Sequence, residues 1–305
     1  MLGSAQTWVN YSTATLTVGG AVTNGGNTLT LTGIPGIATT GLFTINGAIS
    51  GTGGLNIVRN ASATLNAASG YTGATVIGNA STLTLAGAGG ALTATSGITL
   101  NGGSLAMVND VGQHLVDRVN AVGITSNGGT ITWTNPSGDN TANWAETLGV
   151  LSLAKGNTNI IVPNVVNAAH TQNLTLGAGS LTHAAGNTST VMFGGTSLGT
   201  STTNNIRITS LADTALNQII GAWATFGASA TAQTDYASYN RNAGTTNTRG
   251  IQAAGIANSA ETTWTSSSQS YTTTSTTPTL TATRTIGSLR YNAGTGTLAL
   301  GALEL

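Results

Sequence analysis

The chain of 305 residues contains no cysteine and very little charge. Without cysteine, neither disulfides nor thiolate chemistry can contribute to stability or catalysis. Charged residues make up 5% of the sequence, against about 25% in an ordinary globular domain. Eight basic and eight acidic residues give a formal net charge of zero. This balance leaves no basic stripe for nucleic acid or an anionic membrane, and it favours association over electrostatic repulsion.

Long apolar runs are also absent from the sequence. None reaches the ~18 residues of a membrane-spanning helix, so we expect no membrane span. Residues 1–6 have neither a basic segment nor an apolar run, and no export signal is visible there. Either such a signal has been removed or this chain is a piece of something longer, and we expect the second. With only four prolines and little Glu or Lys, the 43 glycines do not indicate disorder.

Short apolar alternations are abundant, and the stretch from 43 to 85 shows them most clearly. They occur at Phe43–Ile45, Leu55–Ile57, Thr64–Asn66, Thr75–Ile77 and Leu83–Leu85. Each alternation is the period-two pattern of a half-buried strand, and the Gly, Asn, Ser or Ala clusters between them are typical of turns. Strands this short cannot bury a core alone. They must stack on similar strands, as in a solenoid.

The predicted fold is therefore all-β: a right-handed parallel β-helix (β-solenoid) with irregular loop insertions and one short helix. We expect solenoid rungs over residues 1–226, interrupted by a short helix or loop near 109–123. The alternation decays over 227–275, which predicts a loop-rich insertion. Residues 276–305 carry the final predicted solenoid strands. The whole chain is expected to form one continuous domain.

Stacked rungs lie about 4.8 Å apart, so identical positions in successive rungs form columns. Leu, Ile, Val, Phe and Ala are expected to fill the inward columns. Outward Thr and Ser are expected to form ladders, since β-branched Thr suits a pleated surface. Asn side chains at the turns can stack into amide ladders.

One cluster of charged and titratable residues interrupts the strand pattern at Asp110, His114, Asp117 and Arg118. Valines and a leucine in the same segment, 109–123, recur at helical spacing. On a helix, His114 and Arg118 would share a face, with Asp110 four residues earlier. An acid, a base and a guanidinium on one ridge could act on a sugar. A solvated helix edge with i,i+4 pairs explains the same pattern.

Other candidate chemistry is sparse. His170 and His183 are isolated histidines near strands, and without cysteine or clustered carboxylates the sequence predicts no metal site and no cofactor. Four tryptophans could form a sugar-stacking face or could simply pack inside the protein. They are Trp133, Trp144, Trp223 and Trp264.

A repeat motif follows the order of a glycine-rich turn, two short strands, a Tyr-Thr-Gly turn and a further strand. It resembles the autotransporter-associated β-strand repeat. The residues that carry the motif are Gly51, Gly53, Gly54, Leu55, Leu65, Tyr71, Thr72, Gly73, Leu83 and Leu85. Further segments within 115–130, 146–153 and 219–239 resemble large secreted repeat proteins of planctomycete-like bacteria.

The resemblance implies a parallel β-helix in an exported, surface-attached or fibrous bacterial protein, and it supplies no catalytic residues. The expected function is a structural extracellular or cell-surface β-solenoid that is not an enzyme: a segment or subunit of a fibre, adhesin or filament. Its expected partner is itself, by end-to-end stacking or continuation in a longer chain, since solenoid ends expose strand edges. Two alternatives are a carbohydrate-active β-helix that uses the cluster at 110–118 and an adhesin that binds cell-surface glycan.

Overall fold

A computed structural model describes residues 1–37, 40–137, 143–163, 169–177, 181–200, 203–214, 218–229, 231–240 and 250–299. These residues form 28 β-strands and one short 3₁₀ helix, Glu261–Thr263, and they contain no α-helix. The prediction of an all-β protein is confirmed.

The strands of the first half are β1 (Gln6–Val9), β2 (Leu16–Val18), β3 (Val22–Gly25), β4 (Leu29–Thr32), β5 (Leu42–Ile45), β6 (Ile49–Gly51), β7 (Leu55–Val58), β8 (Ser62–Leu65), β9 (Ala68–Ser69), β10 (Thr75–Ile77), β11 (Thr82–Leu85), β12 (Ala91–Leu92), β13 (Ile98–Leu100), β14 (Ser104–Val108), β15 (Ile124–Ser126) and β16 (Gly129–Thr134). Those of the second half are β17 (Trp144–Leu148), β18 (Leu151–Leu153), β19 (Asn157–Val162), β20 (Gln172–Leu176), β21 (Leu181–His183), β22 (Thr190–Gly195), β23 (Asn204–Ile208), β24 (Ala224–Gly227), β25 (Gln233–Tyr239), β26 (Ile251–Ala253), β27 (Ser270–Thr273) and β28 (Ser288–Tyr291).

Two long sheets organise these strands. Sheet 1 has eight strands in the order β1-β4-β7-β10-β13-β15-β18-β21, and sheet 2 has eleven in the order β2-β5-β8-β11-β14-β16-β19-β22-β24-β25-β26. Sheet 1 is parallel throughout, and sheet 2 is parallel as far as β24. As far as β24, successive strands of the chain therefore alternate between sheets instead of forming hairpins. This order is consistent with the predicted parallel β-helix.

Shorter sheets form a third side: β3 with β6, β9 with β12, and β17 with β20 and β23. We call one strand of sheet 1, with the chain that follows it up to the next strand of sheet 1, a coil. The repeat varies from 20 residues between Leu55 and Thr75 to 30 between Leu151 and Leu181. The longer coils place their additional residues in the corners, because the paired strands stay in register.

Buried side chains from the two long sheets and the shorter sheets form one hydrophobic cluster, and alternation along each strand decides which side chains enter it. Strands β8 and β11 both alternate between partly exposed and buried residues. Leu55 and Leu83 are fully buried, and Leu65 is 1% exposed. The prediction that these leucines point inward is confirmed. Outward positions pair Thr44 with Thr64 and Thr64 with Thr84, which is one of the predicted threonine columns.

Amide ladders occur at the corners as expected. The side-chain amide of Asn66 donates to the Asn46 side-chain oxygen at 2.8 Å, and Asn127 donates in the same way to Asn101 at 2.7 Å. Each pair joins neighbouring coils. These hydrogen bonds satisfy amide groups that the turns place at the sheet borders.

The first coil leaves part of its apolar lining exposed. Strand β2 is the outermost strand of sheet 2. Its Leu16 pairs with Phe43, which is 2% exposed, yet Leu16 itself is 44% exposed. Met1, which precedes the first coil, is 93% exposed, and Tyr11 within this coil is 68% exposed. The apolar column that the inner coils bury therefore reaches solvent at this end.

The other end of sheet 2 is built differently. Strand β25 pairs with β24 in the antiparallel direction, and β26 pairs antiparallel with β25. The predicted final solenoid strands do not join either long sheet: β28 pairs with β27 in a separate two-stranded sheet. A second, small hydrophobic cluster of Trp264, Tyr271 and Leu280 lies in this part of the chain. Residues 300–305, the last of the predicted strands, lie outside the described residues.

Of the two alternatives predicted for 109–123, a short helix or a loop, the structure shows the loop, and the helix is wrong. This segment forms turns and bends, with one isolated antiparallel bridge between Asp110 and Gln113. Four of its residues have positive φ: Gly112 (73°), Asp117 (55°), Asn120 (49°) and Ala121 (51°). A right-handed helix requires negative φ at every residue, so the spacing of Val111, Leu115 and Val119 does not produce a helical face.

Candidate functional site

The segment 109–121 is the place where the sequence predicted a polar cluster, and it carries a buried polar network. The segment occupies the third side between β12 and β17. The Leu92 backbone N–H donates to the Arg118 carbonyl at 2.7 Å, and the Ala121 N–H donates to the Thr147 carbonyl at 3.2 Å. These turns therefore bridge the coils before and after them, in a coil that contributes no strand to the third side.

Arg118 is fully buried, and its guanidinium is bonded on several sides. Both Nε (2.9 Å) and Nη2 (2.6 Å) donate to the side-chain oxygen of Asn109. The carbonyl of Gly90 accepts from Nη1 at 2.6 Å, and the carbonyl of Gly87 accepts from Nη2 at 2.9 Å. The planar donor fork of arginine suits this arrangement. It ties the segment to the preceding coil.

Asn109 continues the network into the next coils. Its side-chain amide donates to the Asn135 oxygen at 2.8 Å, and the Asn135 amide donates to the Gln172 oxygen at 3.1 Å. All three side chains are buried. A row of amides thus runs from Arg118 along the stack, and each buried group gains a partner that it would otherwise lack.

Glu146 lies in the middle of β17, at an inward position of the alternating pattern. It is fully buried, and its neighbours in the same column are Leu174 and Ile206. Its carboxylate accepts the backbone N–H of Arg118 at 2.9 Å and that of Val119 at 3.2 Å. The carboxylate therefore supplies acceptors to two backbone donors that no strand satisfies at this level.

Burial is the main cause of the shifted pKa values of both charged groups. Desolvation raises the pKa of Glu146 to about 7, because the hydrogen bonds from Arg118 and Val119 only partly compensate for the loss of water. Desolvation likewise lowers the pKa of Arg118, and the Coulombic attraction of Glu146 and Asp110 opposes that shift. The two groups are held in the interior by hydrogen bonds to neighbouring backbone and amides.

The other members of the predicted cluster do not converge with Arg118 on a cleft. Asp110, His114 and Asp117 are exposed, whereas Arg118 is buried. The His114 ring packs against Trp144 with centroids 4.4 Å apart. The proposed ridge of an acid, a base and a guanidinium is therefore wrong. Arg118 binds backbone and amides of its own chain and has no exposed surface to offer a sugar.

Sequence reasoning missed Glu146, Asn109, Asn135 and Gln172 as members of one network. A signal for Glu146 exists in the segment Trp144–Leu148, where a glutamate occupies the inward position between two apolar residues. A charged residue at an inward position is rare unless it has a partner. The partners themselves come from loops and coils 26 to 37 residues away, which no local pattern shows.

Two glycines of the repeat motif allow the corners of neighbouring coils to lie in contact. A Cβ on Gly53 would overlap the Asn27 backbone, and a Cβ on Gly73 would overlap the Gly53 backbone. The buried Asn24 side chain also exchanges two hydrogen bonds with the Gly53 backbone, at 2.9 and 3.1 Å. Only glycine fits these two positions.

Tyr71 of the same motif is fully buried. Its hydroxyl shares a hydrogen bond of 2.6 Å with Thr75 of the next coil, and Thr75 bonds Thr95 of that same coil at 3.0 Å. Thr95 in turn donates to the Gly73 carbonyl at 2.8 Å. Burial raises the pKa of Tyr71 far above its usual range. These contacts give the Tyr-Thr-Gly turn a packing role.

The tryptophans do not form a sugar-stacking face. Trp133, Trp144 and Trp264 are fully buried. The Trp223 ring is partly buried and stacks on His183, with centroids 4.4 Å apart and planes within 5°. His170, the other isolated histidine, is half-buried. Within the part of the chain that the structure describes, no three His, Cys, Asp or Glu residues are grouped as a metal site requires.

No protein-family model, no curated protein and no solved structure matches this chain. The resemblance to the autotransporter-associated repeat therefore stays a prediction. None of the helices in the described ranges has the length and hydrophobicity needed to cross a bilayer.

Proposed function

We propose that this protein is a right-handed parallel β-solenoid with a mechanical role: a segment or subunit of a bacterial surface fibre, adhesin or filament. The regular alternation of strands between two long parallel sheets supports the solenoid. Crossover connections between parallel strands of one sheet are right-handed in about 98% of cases. The near absence of charge fits an extracellular surface built from hydroxyl and amide groups that can associate.

One observation carries the proposal of coil-on-coil association: the apolar lining of the first coil is open. Leu16 occupies the column of buried Phe43 but remains 44% exposed. An unpaired strand edge beside exposed apolar side chains is a template for further strands. In this proposal another solenoid coil stacks on the first coil, either from a second copy or in a longer chain.

The polar network fits the same mechanical role. The Arg118 side chain binds Asn109 and the backbone of the preceding coil, and Glu146 of the following coil binds the Arg118 backbone, so together they hold a loop in place of a strand. Because Arg118 and Glu146 are fully buried, neither can touch a substrate from its present position. The proposed function is therefore structural and not catalytic.

Sedimentation velocity at neutral pH over a range of protein concentrations tests the association. We expect the wild-type chain to form larger species as concentration rises and Leu16→Asp to stay monomeric, because a charge at the end of the apolar column opposes stacking. Val111→Asp is the matched control, since Val111 is 73% exposed and lies in the 109–123 segment. It should associate like the wild type.

Electron microscopy of the same samples shows whether contacts occur at the first coil. A wild-type chain that stays monomeric at every concentration contradicts stacking between copies. So does association that Leu16→Asp leaves unchanged. Thermal unfolding of both variants confirms that an exposed substitution has not disrupted the fold.

A further inference from the structure

A groove lies where the antiparallel end of sheet 2 meets the small C-terminal sheet. Its volume is about 260 Å³, and β25, β28 and the residue after β28 supply most of its lining. The side chains that matter for binding are Gln233, Asp235, Tyr236, Arg290, Tyr291 and Asn292. The groove is separate from the polar network around Glu146.

An ion pair between Asp235 and Arg290 joins the two sides of the groove. One carboxylate oxygen of Asp235 also accepts the Tyr236 N–H at 2.8 Å, and the other accepts the Gly255 N–H at 2.8 Å. The Arg290 guanidinium donates to the Thr234 carbonyl at 3.1 Å. Both charges are thus neutralised and fixed in place, so the groove is preorganised and carries no net charge.

The rest of the lining combines aromatic rings with amides. Tyr291 is 40% exposed, and Tyr236 is partly exposed from the opposite strand. Gln233 and Asn292 lie at the exposed margin. Tyrosine offers an apolar face together with a polar hydroxyl, and amides both donate and accept hydrogen bonds. Sugars present apolar C–H faces and rings of hydroxyls, and they need both kinds of partner.

Charge and size narrow the class of ligand. A phosphate or sulfate group would require a cation with free, accessible donors. Arg290 is paired with Asp235, and its unpartnered donor, Nε, is buried. The volume lies just below the ~300 Å³ at which pockets for drug-sized ligands begin. We propose that this groove binds a neutral saccharide of one or two rings, with Tyr291 stacking on a ring face and Asn292 and Gln233 binding hydroxyls.

The proposal does not depend on the structural role of the solenoid, since the residues proposed to bind the sugar all follow β24, and β24 itself contributes Thr225 to the lining. Isothermal titration of the full chain with maltose, cellobiose and N,N′-diacetylchitobiose tests it, with glucuronic acid as a charged comparison. We expect saturable binding of at least one neutral disaccharide and none of glucuronic acid. Truncation of Tyr291, as in Tyr291→Ala, should weaken that binding about tenfold.

Tyr11→Ala is the matched control, because Tyr11 is an exposed tyrosine in the first coil. It should bind like the wild type, and Asn292→Ala should bind more weakly. Near-ultraviolet circular dichroism of each variant verifies that the fold is retained. Absence of binding to all three disaccharides overturns the proposal, as does binding that both Tyr291→Ala and Asn292→Ala leave unchanged. Binding of glucuronic acid alone overturns the assignment to a neutral sugar.

Discussion

The Glu146 carboxylate accepts the backbone N–H of Arg118 at 2.9 Å, across 28 residues of sequence. The Arg118 side chain does not return this bond to Glu146 but binds Asn109 and two glycine carbonyls of the preceding coil. Arg118 is thus hydrogen-bonded to the coil that precedes it and to the coil that follows it. This relationship explains how a loop without strand geometry can be accommodated inside a regular fold.

Replacing Glu146 with leucine tests whether its carboxylate stabilises this loop. Leucine matches the column neighbour Leu174, but it leaves the Arg118 and Val119 N–H groups without an acceptor. We expect Glu146→Leu to lower the free energy of unfolding by about 1–3 kcal/mol, measured by urea denaturation. Asp110→Leu is the control, since Asp110 is exposed, and it should change stability by less than about 0.5 kcal/mol. Equal effects of the two variants would contradict the assigned role.

The raised pKa of Glu146 predicts a dependence of stability on pH. Its pKa rises from the ordinary 4.5 to about 7 on folding because burial penalises the carboxylate. The folded state therefore binds the proton more tightly than the unfolded state. The resulting stabilisation is complete below pH 4.5 and is lost as pH rises through about 7, with an upper limit of about 3 kcal/mol.

Denaturation at several pH values between 4.5 and 8 measures this effect. The wild type should become less stable relative to Glu146→Gln as pH rises, because the amide does not titrate. Other titrating groups are the same in both proteins and cancel in the difference. A constant difference across this range would show that Glu146 has an ordinary pKa.

The corner glycines predict a third effect. A Cβ on Gly53 would overlap the Asn27 backbone in the neighbouring coil, whereas a Cβ on Gly19 would meet nothing within 4 Å. We expect Gly53→Ala to destabilise the protein by about 1–3 kcal/mol, the usual range for overpacking. Gly19→Ala should be close to neutral. Thermal unfolding compares the two alanine variants directly, and a neutral Gly53→Ala would mean that the coils are not in contact at this corner.

Much of the fold could be predicted from the sequence, because each strand that the 43–85 stretch gives to the two long sheets shows its own alternation. Leu55 and Leu83 point inward because alternate residues of a strand share one face, as their period-two pattern predicts. The short strands of the third side could not be predicted from such an alternation. Strands such as β6 and β9 have three and two residues, too few for a period to appear, and they exist only because the sheets on either side position them.

The site was less predictable than the fold. Helical spacing at 109–123 suggested a ridge of polar side chains on one helix face. The positive φ angles of Asp117 and Asn120 are incompatible with a right-handed helix. Arg118 was recognised as a candidate, while its partner Glu146 was not grouped with it. Partners separated by a whole coil meet only through the register of the stack, and sequence spacing alone does not show register.

Cross-linking between neighbouring coils tests the central claim most directly, since the chain has no cysteine of its own. Thr64 and Thr84 are directly paired on adjacent strands, whereas Thr44 and Thr84 are separated by the strand that contains Thr64. Adjacent strands lie about 4.8 Å apart and alternate strands about twice that distance. With dibromobimane, the account predicts rapid cross-linking of Thr64→Cys/Thr84→Cys and little of Thr44→Cys/Thr84→Cys. Equal yields from the two pairs, or a higher yield from the second, would contradict the stacked coils.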